Sequence, residues 1–323
     1  MTMPDATVGH LLRIAGAAED PGGRYELREE IGRGGMGVVY RAHDRELQRD
    51  VALKVLRAGA DARGLARRLH REARVLASLE HPGMVPVHDV GVLADGLGFY
   101  VMKLVRGRRL DQWAAGAPAL SERLRAFERI CETVAFAHAH GVVHRDLKPG
   151  NVMLGAFGEV LVMDWGVAKV LSDAGAASAS TAVDAGATAA GTVLGTPGYM
   201  APEQAAGDVR AIDARTDVYA LGGLLHFLLA GSPPTAGPLP RGTPRPLAAI
   251  VQRCLAVART ERYACVIDLA ADVRAFQVQD PVSAYPEGPL QKAGRVASRY
   301  RVPIALVLAY MLMRVGLIFW ARG

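Results

Sequence analysis

The chain has 323 residues, half of them hydrophobic and 22% charged, which suits one large or two modest soluble domains with a buried core. Part of its net charge of +6 is gathered in one basic cluster near the C-terminus, so nucleic acid is not expected as a partner. The three cysteines, Cys131, Cys254 and Cys265, have no CxxC spacing, which argues against a disulfide framework or a zinc site and fits a reducing compartment.

Residues 1–24 are small and polar, turn Gly-rich toward their end, and read as a flexible tail. No secretory leader is expected there. Asp5 comes early, no basic residue precedes Arg13, and the apolar run at Leu11 and Leu12 is too short. From Tyr25, "YELREEIGRGGMGVVYRAHD" alternates apolar and polar residues around a glycine cluster, and "RDVALKVLR" follows as a second strand. Together they predict a hairpin with a Gly-rich tip. "ARRLHREARVLASL" has helical spacing, with Leu69, Ala73 and Leu76 on one face, while "MVPVHDVGVL" and "GFYVMKLV" read as two more strands. Residues 25–105 are therefore predicted to form a small, mostly antiparallel sheet with one helix.

A connection at Val105–Gly107 leads into a helical region, 106–280. "LSERLRAFERICETVAFAHAHG" offers Ser121 as a candidate N-cap, Glu122 in the first turn and Gly141 at the end. Two short strand pairs are predicted around "HRDLKPGN". Residues 172–196 are rich in Ala, Gly, Ser and Thr, with little to bury, and read as a loop. "TDVYALGGLLHFLLAG" reads as a core helix, and "RPLAAIVQRCLAV" and "VIDLAADVRAFQ" as amphipathic ones. A basic linker, 281–301, precedes "VPIALVLAYMLMRVGLIFW" over 302–320, nineteen residues with one charge, Arg314. That stretch is predicted to be a transmembrane helix. Lys292, Arg295, Arg299 and Arg301 would keep the preceding domain on the cytoplasmic side of the cell (inner) membrane. Arg314 opposes insertion by about 2.5–3.5 kcal/mol. The alternative is an amphipathic helix that packs on the domain or lies at a membrane surface.

Several residues carry chemistry. Gly32, Gly34 and Gly37 form G-x-G-x-x-G between two strands rather than before a helix, which argues against a dinucleotide-binding unit. A flexible turn and a phosphate-covering loop both remain open readings. Lys54 lies in an apolar strand, and Glu72 follows eighteen residues later on the predicted helix. A buried Lys–Glu pair is costly unless it positions something such as a phosphate. In "HRDLKPGN", Asp146 can accept a hydroxyl proton, Lys148 can neutralise a transferred phosphoryl group, and Asn151 can offer oxygen to a hard cation. Asp164, at a strand end eighteen residues after Asp146, supplies a second oxygen ligand.

"GRGGMGVV", "VALK", Glu72, "HRDLKPGN", "DWG", "GTPGYMAPE" and "DVYALG" occur in this order. Over about residues 25–280 the chain resembles the eukaryotic-type protein kinase family, in particular its serine/threonine branch in bacteria. The resemblance implies an α+β, bilobal protein-kinase fold with a β-rich N-lobe and a mainly helical C-lobe. It implies transfer of the γ-phosphoryl group of ATP to Ser or Thr hydroxyls of protein substrates, with Mg2+, or alternatively Mn2+, as the metal. Asp146 is the implied catalytic base, supported by Lys148, with Lys54 paired to Glu72 and holding phosphates. Asn151 and Asp164 are the implied metal ligands. The implied nucleotide-binding residues are Ile31, Gly32, Arg33, Gly34, Gly35, Met36, Gly37, Val38, Val39, Ala52, Lys54 and Met153, with Met102 as gatekeeper and Lys103, Leu104 and Val105 as hinge.

By the same resemblance, Glu203 pairs with Arg262, Asp217 caps the "HRD" backbone, and Trp165 stacks between His144 and the region of Leu76. Arg145 is implied to receive a phosphate from the activation segment, where Thr188 and Thr192 precede "GTPGY". Residues 231–247, "GSPPTAGPLPRGTPRPL", depart from the family, most members of which carry another helix there. A pseudokinase or nucleotide-binding scaffold is the alternative, although neither Lys54, Asp146 nor Asp164 is lost. A homodimer formed through the C-terminal helix is a further expectation, with Arg314 facing the partner.

Overall fold

The strand 49–56 shows how the first sheet is built. Its side chains alternate, so Val51 and Leu53 pack on one face with Tyr25, Ala42, Phe99 and Val101. Ala52 and Leu56 pack on the other with Tyr100 and Met102. The computed structural model describes residues 23–34, 37–56, 77–93, 97–165, 198–289, 292 and 301–320. Five antiparallel strands form this sheet: β1 (Tyr25–Gly34), β2 (Gly37–Asp44), β3 (Arg49–Leu56), β4 (Val87–Val92) and β5 (Gly98–Lys103). Their order is β1-β2-β3-β5-β4. Gly37, at φ +156°, opens β2, and a Cβ there would lie 2.1 Å from the Val55 carbonyl oxygen. No side chain fits that approach of β2 to β3. The predicted helix around 66–76, including Glu72, lies outside the described residues, as do Gly35 and Met36.

A second sheet follows. Strands β6 (Gly107–Arg109), β7 (Val152–Gly155) and β8 (Val160–Val162) pair antiparallel in that order. They form one three-stranded sheet where the sequence predicts two strand pairs. Helix α1 (Leu110–Ala114) continues from β6, and α2 (Leu120–Ala139) runs behind the sheet. Helix α2 starts two residues earlier than an N-cap at Ser121 would place it. Its N-cap is Ala119, whose N–H donates to Glu122 Oε2 at 3.0 Å. Ser121 therefore lies inside the first turn rather than at the cap, and Glu122, at the third helical position, reaches back to the N-cap N–H as the carboxylate of a capping box does.

The core of the helical lobe gathers around α4 (Ala214–Ala230), with α2, α5 (Arg245–Cys254) and α6 (Val266–Gln277) against it. Phe127, Ile130, Leu221, Leu224, Leu225, Leu247, Ile250 and Leu269 are fully buried there. Asp213 caps α4 by accepting the Arg215 N–H at 2.8 Å. Gly231 ends it in the left-handed region, φ 74°, donating to the Phe227 carbonyl. No further helix follows directly. Residues 231–244 hold only a 3-10 turn, Pro234–Ala236. Pro233 and Thr235 press against Gly198, where a Cβ would meet them at 3.1 and 2.9 Å. The shortened segment thus supports the chain just before the short helix α3 (Pro202–Ala205).

That chain is anchored from below. Glu203 and Arg262 form two parallel hydrogen bonds of 2.8 and 3.0 Å, both groups buried, and Thr216 donates to Glu203 at 2.9 Å. Burial alone would raise the Glu203 pKa, but the Arg262 guanidinium outweighs it and holds the carboxyl below its usual value.

A helix does form at the C-terminus, α7 (Arg301–Trp320), and Leu306, Val307, Tyr310, Met311, Leu312 and Met313 are exposed on it. No helix among the described residues is long and apolar enough to cross a membrane, so the expected transmembrane helix is not found. Arg301 and Arg314 bound an uncharged run of only 302–313, roughly 18 Å of helix against a hydrocarbon core of about 30 Å.

Replacing Glu203 by Ala leaves the Arg262 guanidinium buried without its partner. Urea unfolding at neutral pH is expected to show a loss of about 3–5 kcal/mol. Because the folded-state pKa is depressed, this contribution is present above the ordinary glutamate pKa and is lost as pH falls through the folded value. The gap between the parent protein and the Ala variant therefore narrows in acid.

Candidate active site

The loop between α2 and β7 carries Asp146, and one buried carboxylate fixes its backbone. Asp217, on α4, accepts the N–H of His144 and the N–H of Arg145, each at 2.8 Å. It also meets His138 Nε2 at 2.8 Å. Burial acts to raise the Asp217 pKa, but these bonds, led by His138, leave it below the ordinary value. With its backbone held there, Arg145 takes φ +65°, and Gln204 Nε2 donates to its carbonyl at 2.8 Å. Helix α3 itself is thereby tied to the loop.

The side chains of the loop converge. Lys148 Nζ donates to Asp146 Oδ2 at 3.1 Å. Asn151, buried in the 3-10 turn Pro149–Asn151, donates through Nδ2 to the Asp146 carbonyl at 2.8 Å and to Oδ2 at 3.2 Å. Its carbonyl oxygen in turn accepts the Met163 N–H at 2.8 Å. That bond places Asn151 beside the segment leading to Asp164. One Asp146 oxygen is thus held by an ammonium and an amide, which fixes the direction of the carboxylate.

Asp164 follows β8 with φ +58°, and its Oδ1 accepts from Lys54 Nζ at 2.6 Å. Lys54 reaches it from β3, where it pairs in register with Val39 on β2 and Tyr100 on β5. Burial disfavours the Lys54 ammonium, but Tyr100 and the Asp164 carboxylate outweigh it and raise its pKa above the usual lysine range. Burial pushes the Tyr100 hydroxyl up to about 12. Tyr100 has no part in the sequence reading. Only the β3–β5 register puts it beside Lys54, a pairing across strands that sequence spacing does not reveal.

Trp165 is buried, its ring 4.7 Å from that of His144 and tilted by 55°. Its indole N–H donates to the Val162 carbonyl at 3.0 Å, which answers the need of a buried indole for a partner. His144 itself is fully buried and held neutral, its pKa lowered by that burial. Nε2 donates to the Met163 carbonyl at 2.9 Å and Nδ1 accepts the Asp146 N–H at 3.2 Å. The imidazole therefore links the chain around Asp146 to that around Asp164.

Above the loop, Ala52 and Met102 face each other in register, with Val39 and Leu104 packed against them. Met153 lies on β7 in the lower sheet. Glu72, Leu76, Gly166 and the hydroxyls of 172–196, Thr188 and Thr192 included, lie outside the described residues. Among the described residues no group of three or more His, Cys, Asp or Glu is placed to hold a metal ion. Asn151 and Asp164 nevertheless fit a hard cation in one specific way. Mg2+ keeps several waters and is commonly held by one or two protein oxygens together with substrate phosphates, so two ligands suffice where phosphate is present.

A family model described as protein kinase domain matches residues 25–265. The chain is 37% identical over 292 residues to serine/threonine-protein kinase PknB of Mycobacterium tuberculosis, covering 82% of this chain and 44% of the relative. It is 42% identical over 225 residues to a probable serine/threonine-protein kinase of Streptomyces coelicolor, covering 68% and 32%. It thus spans less than half the length of these curated relatives. Among solved structures, the kinase domain of Mycobacterium tuberculosis PknI aligns with a TM-score of 0.59 at 30% identity, covering 78% of this chain and 95% of that one.

Replacing Trp165 with Ala is expected to destabilise the protein by about 3–5 kcal/mol. Phe at the same position keeps most of the ring contact, loses only the bond to Val162, and should cost about 0.5–1.5 kcal/mol for that bond. Equal midpoints for the two variants in urea unfolding would show that the ring against His144 contributes nothing.

Proposed function

Since the chain belongs to the protein kinase family, we propose that it is a serine/threonine protein kinase that transfers the γ-phosphoryl group of Mg-ATP to Ser and Thr hydroxyls of protein substrates. The observation that carries this reading is the Asp146 carboxylate, gripped on one oxygen by Lys148 and Asn151. In this role Asp146 orients the acceptor hydroxyl and takes its proton, and Lys148 neutralises charge building on the transferred group.

Adenine, in this reading, lies among Val39, Ala52, Met102 and Met153, with its edge on the backbone of Lys103, Leu104 and Val105. The turn from Ile31 to Val38 covers the phosphates, offering backbone N–H groups through Gly32, Arg33, Gly34, Gly35, Met36 and Gly37. Asn151 and Asp164 hold the magnesium ion, which supplies charge neutralisation at the phosphates when bound. Asp164 is engaged by Lys54 at 2.6 Å, so the reading requires an exchange. Lys54 turns to the phosphates and to Glu72, and Asp164 is released to the cation. Autophosphorylation between 172 and 196, with Arg145 receiving the phosphate, is the regulation this reading favours.

Incubation with Mg-ATP and a generic protein substrate, followed by intact-mass measurement, tests the assignment. The wild type is expected to gain phosphoryl groups itself and to label the substrate, whereas Asp146→Asn should fall by at least about a hundredfold. Wild-type protein that labels neither itself nor any substrate would remove the reading in favour of a nucleotide-binding scaffold.

We also propose that α7 associates with a membrane surface, its exposed apolar side chains meeting lipid and Lys292, Arg295, Arg299 and Arg301 meeting anionic headgroups. The full chain should float with vesicles containing anionic phospholipid, and Leu306→Glu with Leu312→Glu should leave it at the bottom of the gradient. Wild-type protein that stays at the bottom would refute the association.

A further inference from the structure

Strand β6 and its approach, "KLVRGRR", place Lys103, Arg106, Arg108 and Arg109 within seven residues, all exposed. Arg106 and Arg108 make no ion pair with any other described residue, and Arg109 has one, to Asp111 at 3.4 Å. The fold brings this basic strand onto the catalytic loop. Arg108 pairs in register with Leu154 and Arg109 with Met153 on β7, directly after the turn that holds Asn151. A Cβ added to Gly150 would lie 3.1 Å from Nη2 of Arg109 and 3.7 Å from its Cζ. The guanidinium therefore covers the loop one residue from the asparagine that grips Asp146, and glycine at 150 leaves room for it. On the far side, Asp111 is near enough to Tyr199 to add to the burial that pushes that phenol up to about 12. Arg109 thus lies against the catalytic loop, and its partner Asp111 lies toward Tyr199.

We propose, on the premise of the protein kinase reading, that this basic strand selects acidic polypeptide substrates, with Arg109 pairing with an Asp or Glu side chain close in sequence to the acceptor hydroxyl and Arg108 adding to the positive field. Among the described residues the one ion pair these four cations make is Arg109 with Asp111, at 3.4 Å. An approaching chain with basic residues would meet repulsion; one with acidic residues would complete the pairs. An extended peptide advances about 3.3–3.6 Å per residue, so a hydroxyl at Asp146 leaves a carboxylate about three residues away within reach of Arg109.

The test uses the full chain and three peptides with one central Thr, flanked at up to three positions on either side by Glu, Ala or Lys. The Glu peptide is expected to exceed the Ala peptide in kcat/KM by about five- to tenfold, mostly through KM, with the Lys peptide lowest and the spread shrinking in high salt. Arg108→Gln with Arg109→Gln should bring the Glu-to-Ala ratio near one, and Arg109→Glu should invert the order of Glu and Lys peptides. A purely structural role for Arg109 would lower turnover on all three alike and leave the ratio intact. That result, or equal kcat/KM for the three peptides with wild type, overturns the proposal. If no peptide is phosphorylated, the kinase reading fails separately. Fluorescence anisotropy with labelled peptides still decides the selectivity: tighter binding of Glu than Lys peptide sustains it, and equal binding overturns it.

Discussion

A carboxylate with no access to water holds the working loop of this protein in place. Asp217 spends its two oxygens on the backbone N–H groups of His144 and Arg145 and on the His138 ring. A charge buried on a core helix is tolerated when it is paired and hydrogen-bonded. Here the groups that pair with it include the backbone of the segment that must be rigid. The left-handed backbone at Arg145, unfavourable for a side-chain-bearing residue, is held by this grip together with the Gln204 bond to its carbonyl. Asp146 inherits its direction from that arrangement, and Lys148 and Asn151 refine it.

The same economy links the two halves of the site. His144 has one nitrogen for the Asp146 N–H and one proton for the Met163 carbonyl, so a single neutral ring sets the separation between the two acidic positions. Trp165 covers that ring and satisfies its own N–H on Val162. The indole is therefore accommodated without an orphaned donor. Lys54 and Asp164 bridge the β-rich and helical lobes by one charge-assisted bond.

Below the site, the departure at 231–247 has a clear physical consequence. Pro233 and Thr235 sit against Gly198 where relatives are expected to carry a helix, and the Glu203–Arg262 pair fixes the next turn. Support of the segment near Tyr199 is thus kept without that helix.

Much of this was legible in the residues. The alternation in 49–56 and the helical period of 266–277 name their elements because burial on one face is a local property of the pattern. The "HRDLKPGN" and "DWG" motifs name the chemistry because the reacting groups lie close in sequence to the backbone that carries them. Other features were not legible. Ser121 looks like a cap and is not one, since Glu122 reaches back to Ala119. The 302–320 stretch looks long enough to span a membrane, yet its uncharged run is cut by Arg314. Tyr100 beside Lys54, Asp111 near Tyr199 and Arg109 over Gly150 depend on strand register and on how one sheet meets the next loop. The sequence by itself determined which residues can bind phosphate, accept a proton or enter the core, because those are properties of side chains and of short-range spacing. Only the tertiary structure decided which charges meet, because pairing energies depend on distance and burial that arise when segments far apart in the chain are brought together.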